Sequence, residues 1–130
     1  MYLQEPPRQR FSSIGICGEE QMPKHEFGIM TRDPQPEEVF EEYEPEKYNC
    51  ITVDDDYIEM LLPKLSVVDC FWHTLYNPNK NLAYCGITLI PPDSMDLFIE
   101  LIDGAIGTEE LKELMIKAKE DNKYIIHFGI

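Results

Sequence analysis

The sequence predicts a single α+β domain, built from a mostly antiparallel or mixed β-sheet with helices packed on it. The chain has 130 residues, of which 43% are hydrophobic and 28% are charged. This length and composition are typical of one folded domain with one core. Strand-like segments follow one another with only short helical segments between them, which favours antiparallel pairing over repeated parallel crossovers. We therefore treat residues 1–130 as one domain, with residues 1–10 as a loosely ordered arm.

The first third of the chain predicts two strands and one helix. Phe11–Cys17 and Glu26–Thr31 have strand-like composition and are expected to form a hairpin. Pro36 is well placed in the first turn of a helix that runs to about Tyr43, and Pro45 stops it. The face of this helix that is expected to be buried carries Val39, Phe40 and Tyr43.

The middle of the chain contains the two strongest strand signals. Tyr48–Val53 is β-branched and aromatic, and one of the three following aspartates is expected to cap a short helix. That helix has apolar residues at i, i+3, i+4 and i+7, namely Ile58, Leu61, Leu62 and Leu65. Val67–Leu75 and Leu82–Ile90 then read as strands joined by the loop 76–81. We expect these two strands to pair antiparallel in the centre of the sheet.

The last third of the chain predicts two helices and a strand. Asp93 or Ser94 caps a helix that runs to about Asp103, and Thr108 caps the next. Their inward faces carry Leu97, Phe98, Leu101 and Ile102 in the first, and Leu111, Leu114, Met115 and Ala118 in the second. Tyr124–Ile130 is apolar and is expected to dock into the sheet as a strand.

Negative charge is concentrated in one segment. The formal charge is −14, and residues 33–59 hold eleven acids but only one base, Lys47. Apolar and aromatic residues are threaded through this segment, which predicts a folded acidic face rather than a disordered tail. Such a face is either a solvated surface that keeps the protein soluble or a surface for a cationic partner. A net charge of this sign excludes nucleic acid as the expected partner.

Other features indicate a cytoplasmic protein without a membrane partner. The four cysteines, Cys17, Cys50, Cys70 and Cys85, are dispersed in a chain without a signal-peptide pattern and are expected to be reduced, buried thiols. The longest apolar runs fall far short of the roughly 20 residues that span a bilayer.

No segment has the spacing of a catalytic or cofactor site. Cys70 and His73 would point to opposite faces of a strand, and the cysteines form no metal-binding pair. The run Asp54-Asp55-Asp56 is better explained by helix capping and surface charge than by magnesium binding. The glycines fit neither a dinucleotide nor a phosphate-binding loop. We therefore expect no catalytic residue, no metal and no cofactor.

Three stretches carry a resemblance to a known class of proteins: residues 51–58 (ITVDDDYI), 84–92 (YCGITLIPP) and 124–130 (YIIHFGI). Over about residues 48–130 the chain resembles small bacterial immunity proteins of polymorphic toxin and contact-dependent growth inhibition systems. The resemblance implies a protein that is not an enzyme and that neutralises one cognate toxin domain, commonly a basic nuclease. Immunity proteins as a class share no catalytic motif, so the resemblance assigns no residue a role.

The charge pattern predicts where such a partner would bind. The candidate binding residues are the acids of the charged segment and two aromatic residues beside the central strands, namely Glu37, Glu38, Glu41, Glu42, Asp54, Asp55, Asp56, Glu59, Trp72 and Tyr76. Two other functions stay open: a regulatory or adaptor module, and a small enzyme whose site is assembled from dispersed residues. A toxin gene directly upstream would favour immunity over both.

Overall fold

A computed structural model describes residues 23–130. The strands are β1 (Lys24–Ile29), β2 (Ile51–Asp54), β3 (Asp69–Trp72), β4 (Pro78–Lys80), β5 (Ile87–Ile90) and β6 (Ile125–Phe128). The helices are α1 (Asp55–Leu65), α2 (Met95–Ile102) and α3 (Glu109–Glu120), with short 3-10 turns at Pro45–Tyr48 and Pro92–Ser94. The predicted strand Phe11–Cys17, the arm 1–10 and Cys17 lie outside the described residues.

The strands form one six-stranded sheet in the order β2-β1-β6-β5-β3-β4. All neighbouring pairs are antiparallel. The last strand, β6, lies between β1 and β5, with Phe27 opposite His127 and Leu89 opposite Ile126. The sheet therefore joins the β2–β1 pair to strands β5, β3 and β4 only through β6.

The helices cover one face of the sheet, which we call the helix face. Its core contains Phe27, Cys70, Ile90 and Ile125 from the strands, and Ile58, Leu65, Phe98, Ile102, Leu111 and Met115 from the helices, all with exposed fractions of 1% or less. Alternate strand residues point away from this core, as the period of a β-strand requires.

The other face, the loop face, is covered by an irregular segment. A second cluster contains Met30, Ile87, Leu89, Ile126 and Phe128, and residues Phe40, Tyr48 and Cys50 pack against it. These three residues belong to segment 31–50, which we call the acidic loop. The sheet therefore has apolar cover on both faces.

The predicted α+β class is confirmed, and so is the antiparallel pairing of the strands around Val67–Leu75 and Leu82–Ile90, where Phe71 faces Leu89 and Trp72 faces Thr88. Their position is partly corrected, because β6 and β5 form the centre and β3 lies next to the edge. The edge strand β4 occupies part of the predicted loop 76–81.

The predicted helix from Pro36 to Tyr43 is wrong, since residues 36–43 contain no helix and the next helical element is the 3-10 turn at Pro45–Tyr48. Backbone atoms of Phe40 hydrogen-bond across to His73 instead of along a helix. Contacts with the sheet thus override the local helical pattern.

Three smaller expectations are also corrected. Asp54, Ser94 and Thr108 do occupy the N-cap positions, but none of their side chains makes a capping hydrogen bond. Leu97 is 38% exposed rather than buried. Cys85 is exposed rather than buried, while Cys50 is half-buried, Cys70 is buried, and all three are free thiols. Within residues 23–130, each helix is too short or too polar to cross a lipid bilayer.

Candidate functional site

The acidic loop is fixed to the rest of the domain by a few specific contacts. The backbone N–H of Phe40 donates to the carbonyl of His73 at 2.7 Å, and Nδ1 of His73 lies 2.8 Å from the carbonyl of Phe40. Arg32 forms a bidentate pair with the Glu38 carboxylate, at 3.1 and 2.5 Å. The hydrogen bond from Arg32 lowers the pKa of Glu38. These contacts fix the backbone of the acidic loop and therefore the positions of its charged side chains.

The loop's remaining candidate acids point into solvent. Glu37, Glu41 and Glu42 are exposed. Among the ion pairs of residues 23–130, none includes these three, whereas most of the basic residues pair with acids elsewhere. Their negative charge is consequently not neutralised within the described part of the chain.

A second group of candidate acids surrounds the start of helix α1. Asp54, Asp56 and Glu59 are exposed, but Asp55 is only 8% exposed and its carboxylate is bound inside the protein. The acids at 54, 56 and 59 thus belong to the surface, and Asp55 belongs to the interior.

Strand direction brings the start of α1 and one acid of the acidic loop, Glu41, to the same end of the sheet. At this end, which we call the sheet end, β1 and β5 begin and β2, β3 and β6 finish. A cleft of about 390 Å³ opens there, and its lining includes Lys24, Glu41, His73, Cys85 and Gly129. Residues distant in sequence therefore share one surface.

A second cleft, of about 400 Å³, separates the acidic loop from the loop face. Its walls combine apolar and aromatic side chains with carboxylates: Met30, Phe40, Tyr48, Ile126 and Phe128 on one hand, and Glu38, Glu41, Glu42 and Glu44 on the other. Arg32 and Lys47 are the basic residues of this lining. An apolar pocket with a mainly acidic rim suits a side chain that has an aliphatic stem and a positive end.

The two candidate aromatic residues differ in exposure. Tyr76 is 74% exposed, in a turn whose Thr74 lies against the carbonyl of Pro36 in the acidic loop. Trp72 is half-buried, and its indole N–H donates to the carbonyl of Asn81 at 3.0 Å. Tyr76 is thus the more exposed of the two candidate aromatic residues, and it lies beside the acidic loop.

Behind the sheet end lies a feature that the sequence did not predict, a continuous row of hydrogen-bonded side chains on the helix face. Its members, which we call the polar row, are Thr88, His127, His25, Asp55 and Tyr84. Thr88 Oγ1 lies 2.9 Å from His127 Nδ1, and His127 Nε2 lies 2.8 Å from His25 Nδ1. Nε2 of His25 lies 2.8 Å from one carboxylate oxygen of Asp55, and the hydroxyl of Tyr84 donates to the other at 2.7 Å.

At the Thr88 end, the polar row finishes with a hydrogen bond from a backbone N–H. The N–H of Ala83 donates to Thr88 Oγ1 at 2.8 Å. Thr88, His127 and His25 have no exposed surface, and they come from three adjacent strands, β5, β6 and β1. The row therefore connects three of the six strands to the first residue of α1.

The surroundings shift the pKa values of the row in consistent directions. Burial lowers the pKa of His25 despite the hydrogen bond and charge of Asp55, and burial together with His25 lowers the pKa of His127 strongly. Burial opposes ionisation of Asp55, but the hydrogen bonds from Tyr84 and His25 outweigh it and lower its pKa. At neutral pH both imidazoles are therefore neutral and Asp55 is ionised.

The geometry of the row does not resemble that of a catalytic triad. In such a triad one ring nitrogen faces a carboxylate and the other faces a nucleophile at the surface. Here the second nitrogen of His25 faces another buried imidazole. In residues 23–130 no cluster of three or more His, Cys, Asp or Glu side chains is arranged to hold a metal ion.

One sequence signal for the row existed. His25 and His127 occupy the same alternating positions as the apolar residues Phe27 and Ile125, on the helix face of their strands. A histidine at such a position needs a buried hydrogen-bond partner. The two histidines are 102 positions apart in sequence, so their pairing was not predictable.

Comparison with known proteins adds no family to this description. The chain matches no protein-family model, no curated protein and no solved structure at a significant level.

Proposed function

We propose that this chain is a binding protein that neutralises a cognate, basic bacterial toxin domain through its acidic surface, as an immunity protein does. The observation that carries the proposal is the folded structure of the acidic loop. Its exposed carboxylates at Glu37, Glu41 and Glu42 are held by an ordered loop beside an apolar cleft. Protein interfaces commonly combine a hydrophobic centre with a charged rim.

Charge complementarity supports a basic partner. A surface with unneutralised carboxylates attracts a positively charged protein from a distance and raises the association rate. The cleft between the acidic loop and the loop face offers aromatic rings and a mainly acidic rim to an inserted Arg or Lys side chain. An anionic surface of this kind can also cover the site at which a nuclease binds the phosphates of its substrate.

The closed polar row supports binding rather than catalysis. His25 and His127 have no exposed surface, and every ring nitrogen has a partner inside the protein. A substrate would have to displace these contacts to reach either imidazole.

The test is neutralisation of the toxin domain encoded by the adjacent gene. Cells that express that domain are expected to grow only when this chain is co-expressed. A neighbouring gene that encodes no toxin, or a toxin that the chain neither binds nor neutralises, would overturn the proposal.

The interface is tested with single neutral variants. Glu41→Gln and Glu42→Gln are expected to slow association several-fold at low salt and to flatten its salt dependence. Glu113→Gln on the exposed surface of α3 is the matched control and should leave the rate unchanged. All three are surface changes and should alter the free energy of unfolding by less than about 0.5 kcal/mol.

A further inference from the structure

The polar row has one arrangement of protons that satisfies all its members at neutral pH. Since Asp55 is ionised, it accepts from Nε2–H of His25 and from the hydroxyl of Tyr84. Nδ1 of the neutral His25 then accepts from Nε2–H of His127. Nδ1 of His127 in turn accepts from the hydroxyl of Thr88, whose oxygen accepts from Ala83 N–H. The donations from Thr88 through His127 and His25 therefore run in one direction, towards Asp55, and Tyr84 donates to Asp55 from the other side.

Protonation of His25 reverses two hydrogen bonds, the one between the two histidines and the one between His127 and Thr88. The cationic ring donates from both nitrogens, so Nε2 of His127 becomes an acceptor and its proton moves to Nδ1. Nδ1–H of His127 then donates to Thr88, and the hydroxyl proton of Thr88 loses its acceptor. This loss occurs at a side chain with no exposed surface, where an unpaired donor is unfavourable.

No arrangement of hydrogen bonds satisfies the polar row when both imidazoles are protonated. With both rings cationic, two N–H groups would point at each other across the 2.8 Å between His25 Nδ1 and His127 Nε2. The rings are also stacked, with centroids 5.1 Å apart. Two such charges can be relieved only by separating β1 from β6 or by opening the site to water.

We propose that His25 and His127 form a proton-operated latch, which at neutral pH closes the sheet end by tying β5, β6 and β1 to the first residue of α1, and which opens on acidification. In residues 23–130 the titratable groups whose contacts or charges reach the row are Asp55 and Tyr84 directly, and Glu59 and Cys85 through Tyr84. Opening releases the start of α1, which carries Asp56 in its first turn and Glu59 directly after it, and the 83–86 segment, which carries Tyr84.

The direction of the pH effect follows from the lowered imidazole pKa values. The unfolded chain takes up protons on histidine around pH 6.5, whereas the folded chain resists them. The stability from the neutral row is therefore present above about pH 6.5 and is lost as pH falls below it.

The latch is tested first by NMR of the ring nitrogens in the unaltered chain. At pH 7.5 both His25 and His127 are expected to be neutral with the proton on Nε2, and acidification is expected to move the His127 proton to Nδ1 as His25 becomes charged. A charged ring at pH 7.5, or His127 with its proton already on Nδ1, would overturn the proposal.

Amide hydrogen exchange then tests whether the opening is local. Between pH 7.5 and 5.0, after correction for the intrinsic rate, exchange at Ala83 and Asp55 is expected to rise at least tenfold. The control amide is Met30, which donates to Tyr124 at the opposite end of the sheet. Equal acceleration at Met30 would mean global unfolding and would refute a local latch.

Variants separate the latch from histidine titration in general. His127→Gln keeps a side-chain N–H donor toward His25 but cannot be protonated, and it is expected to weaken the pH dependence of exchange at Ala83. His73→Asn is the control for histidine titration, because His73 lies outside the row and its φ of 68° suits asparagine. Since this change also removes the side-chain contact with Phe40, the comparison uses the ratio of exchange at pH 5.0 to that at pH 7.5. If His127→Gln fails to fold, the measurements on the unaltered chain still decide the proposal.

Discussion

Replacing Thr88 by valine is the most direct test of the polar row as a stabilising structure. Valine has nearly the same shape as threonine but lacks the hydroxyl, and Thr88 has no exposed surface. The change removes the partner of Ala83 N–H and the donor to His127 Nδ1. Two buried polar groups are left without partners, and no space opens for water.

The expected loss of stability follows from these two groups. Each unpaired buried polar group costs about 1–3 kcal/mol, and the additional buried methyl group returns about 1 kcal/mol. We expect Thr88→Val to lower the free energy of unfolding by about 1–5 kcal/mol, centred on about 3 kcal/mol. For a domain of this size this corresponds to a fall in Tm of roughly 10 °C.

Urea denaturation and calorimetry at pH 7.5 provide the measurement. Thr52→Val is the matched control, since Thr52 is an exposed residue of β2 and the same substitution there should stay within about 0.5 kcal/mol. A Thr88→Val variant as stable as the unaltered chain would refute the assigned hydrogen bonds.

Three further predictions concern the sheet end. The hydrogen bond to Asp55, burial and the Asp55 charge raise the pKa of Tyr84 to about 12. This contact therefore stabilises the fold up to about pH 10 and is lost towards pH 12. The difference in ultraviolet titration between the unaltered chain and Tyr84→Phe should show a midpoint near 12, and a midpoint near 10 would contradict this prediction. Gly129→Ala should lower the Tm strongly, because its Cβ would lie 2.1 Å from the carbonyl oxygen of Tyr84, whereas an unchanged Tm would mean that the two segments separate freely. Cys85 is exposed and should react with a thiol reagent before the other two described cysteines, whose pKa values burial raises to about 12; peptide mapping that finds Cys70 modified first would exclude this packing.

Sequence reasoning succeeded where local periodicity and burial agree. The spacing in α1 and α3 placed Ile58, Leu61 and Leu111 in the core because a helix that packs on a sheet repeats its contacts every three to four residues. These features depend on neighbours close in sequence.

It failed where distant contacts decide the structure. The segment from Pro36 to Tyr43 has a helical apolar spacing, but Phe40 is held by His73 and Tyr43 contacts Glu26 and Phe128. Asp55 was grouped with the surface acids because its neighbours are acidic, and only its contact with His25 places it inside. Neither partner could be identified without the topology of the sheet.

The position of β6 has a consequence for how the chain folds during synthesis. Residues of β1 pair with β6, which follows about 100 positions later, and β1 has no strand contact with β5. At the usual 5–20 residues per second, the ribosome needs roughly 5–20 s to travel from one to the other. Until then the nascent chain holds two unjoined parts of a sheet, each with an open strand edge that can pair with other chains. Insertion of four residues, Ile125–Phe128, closes these two inner edges at once, so β1 and β5 are protected from pairing with other chains only after that strand has docked.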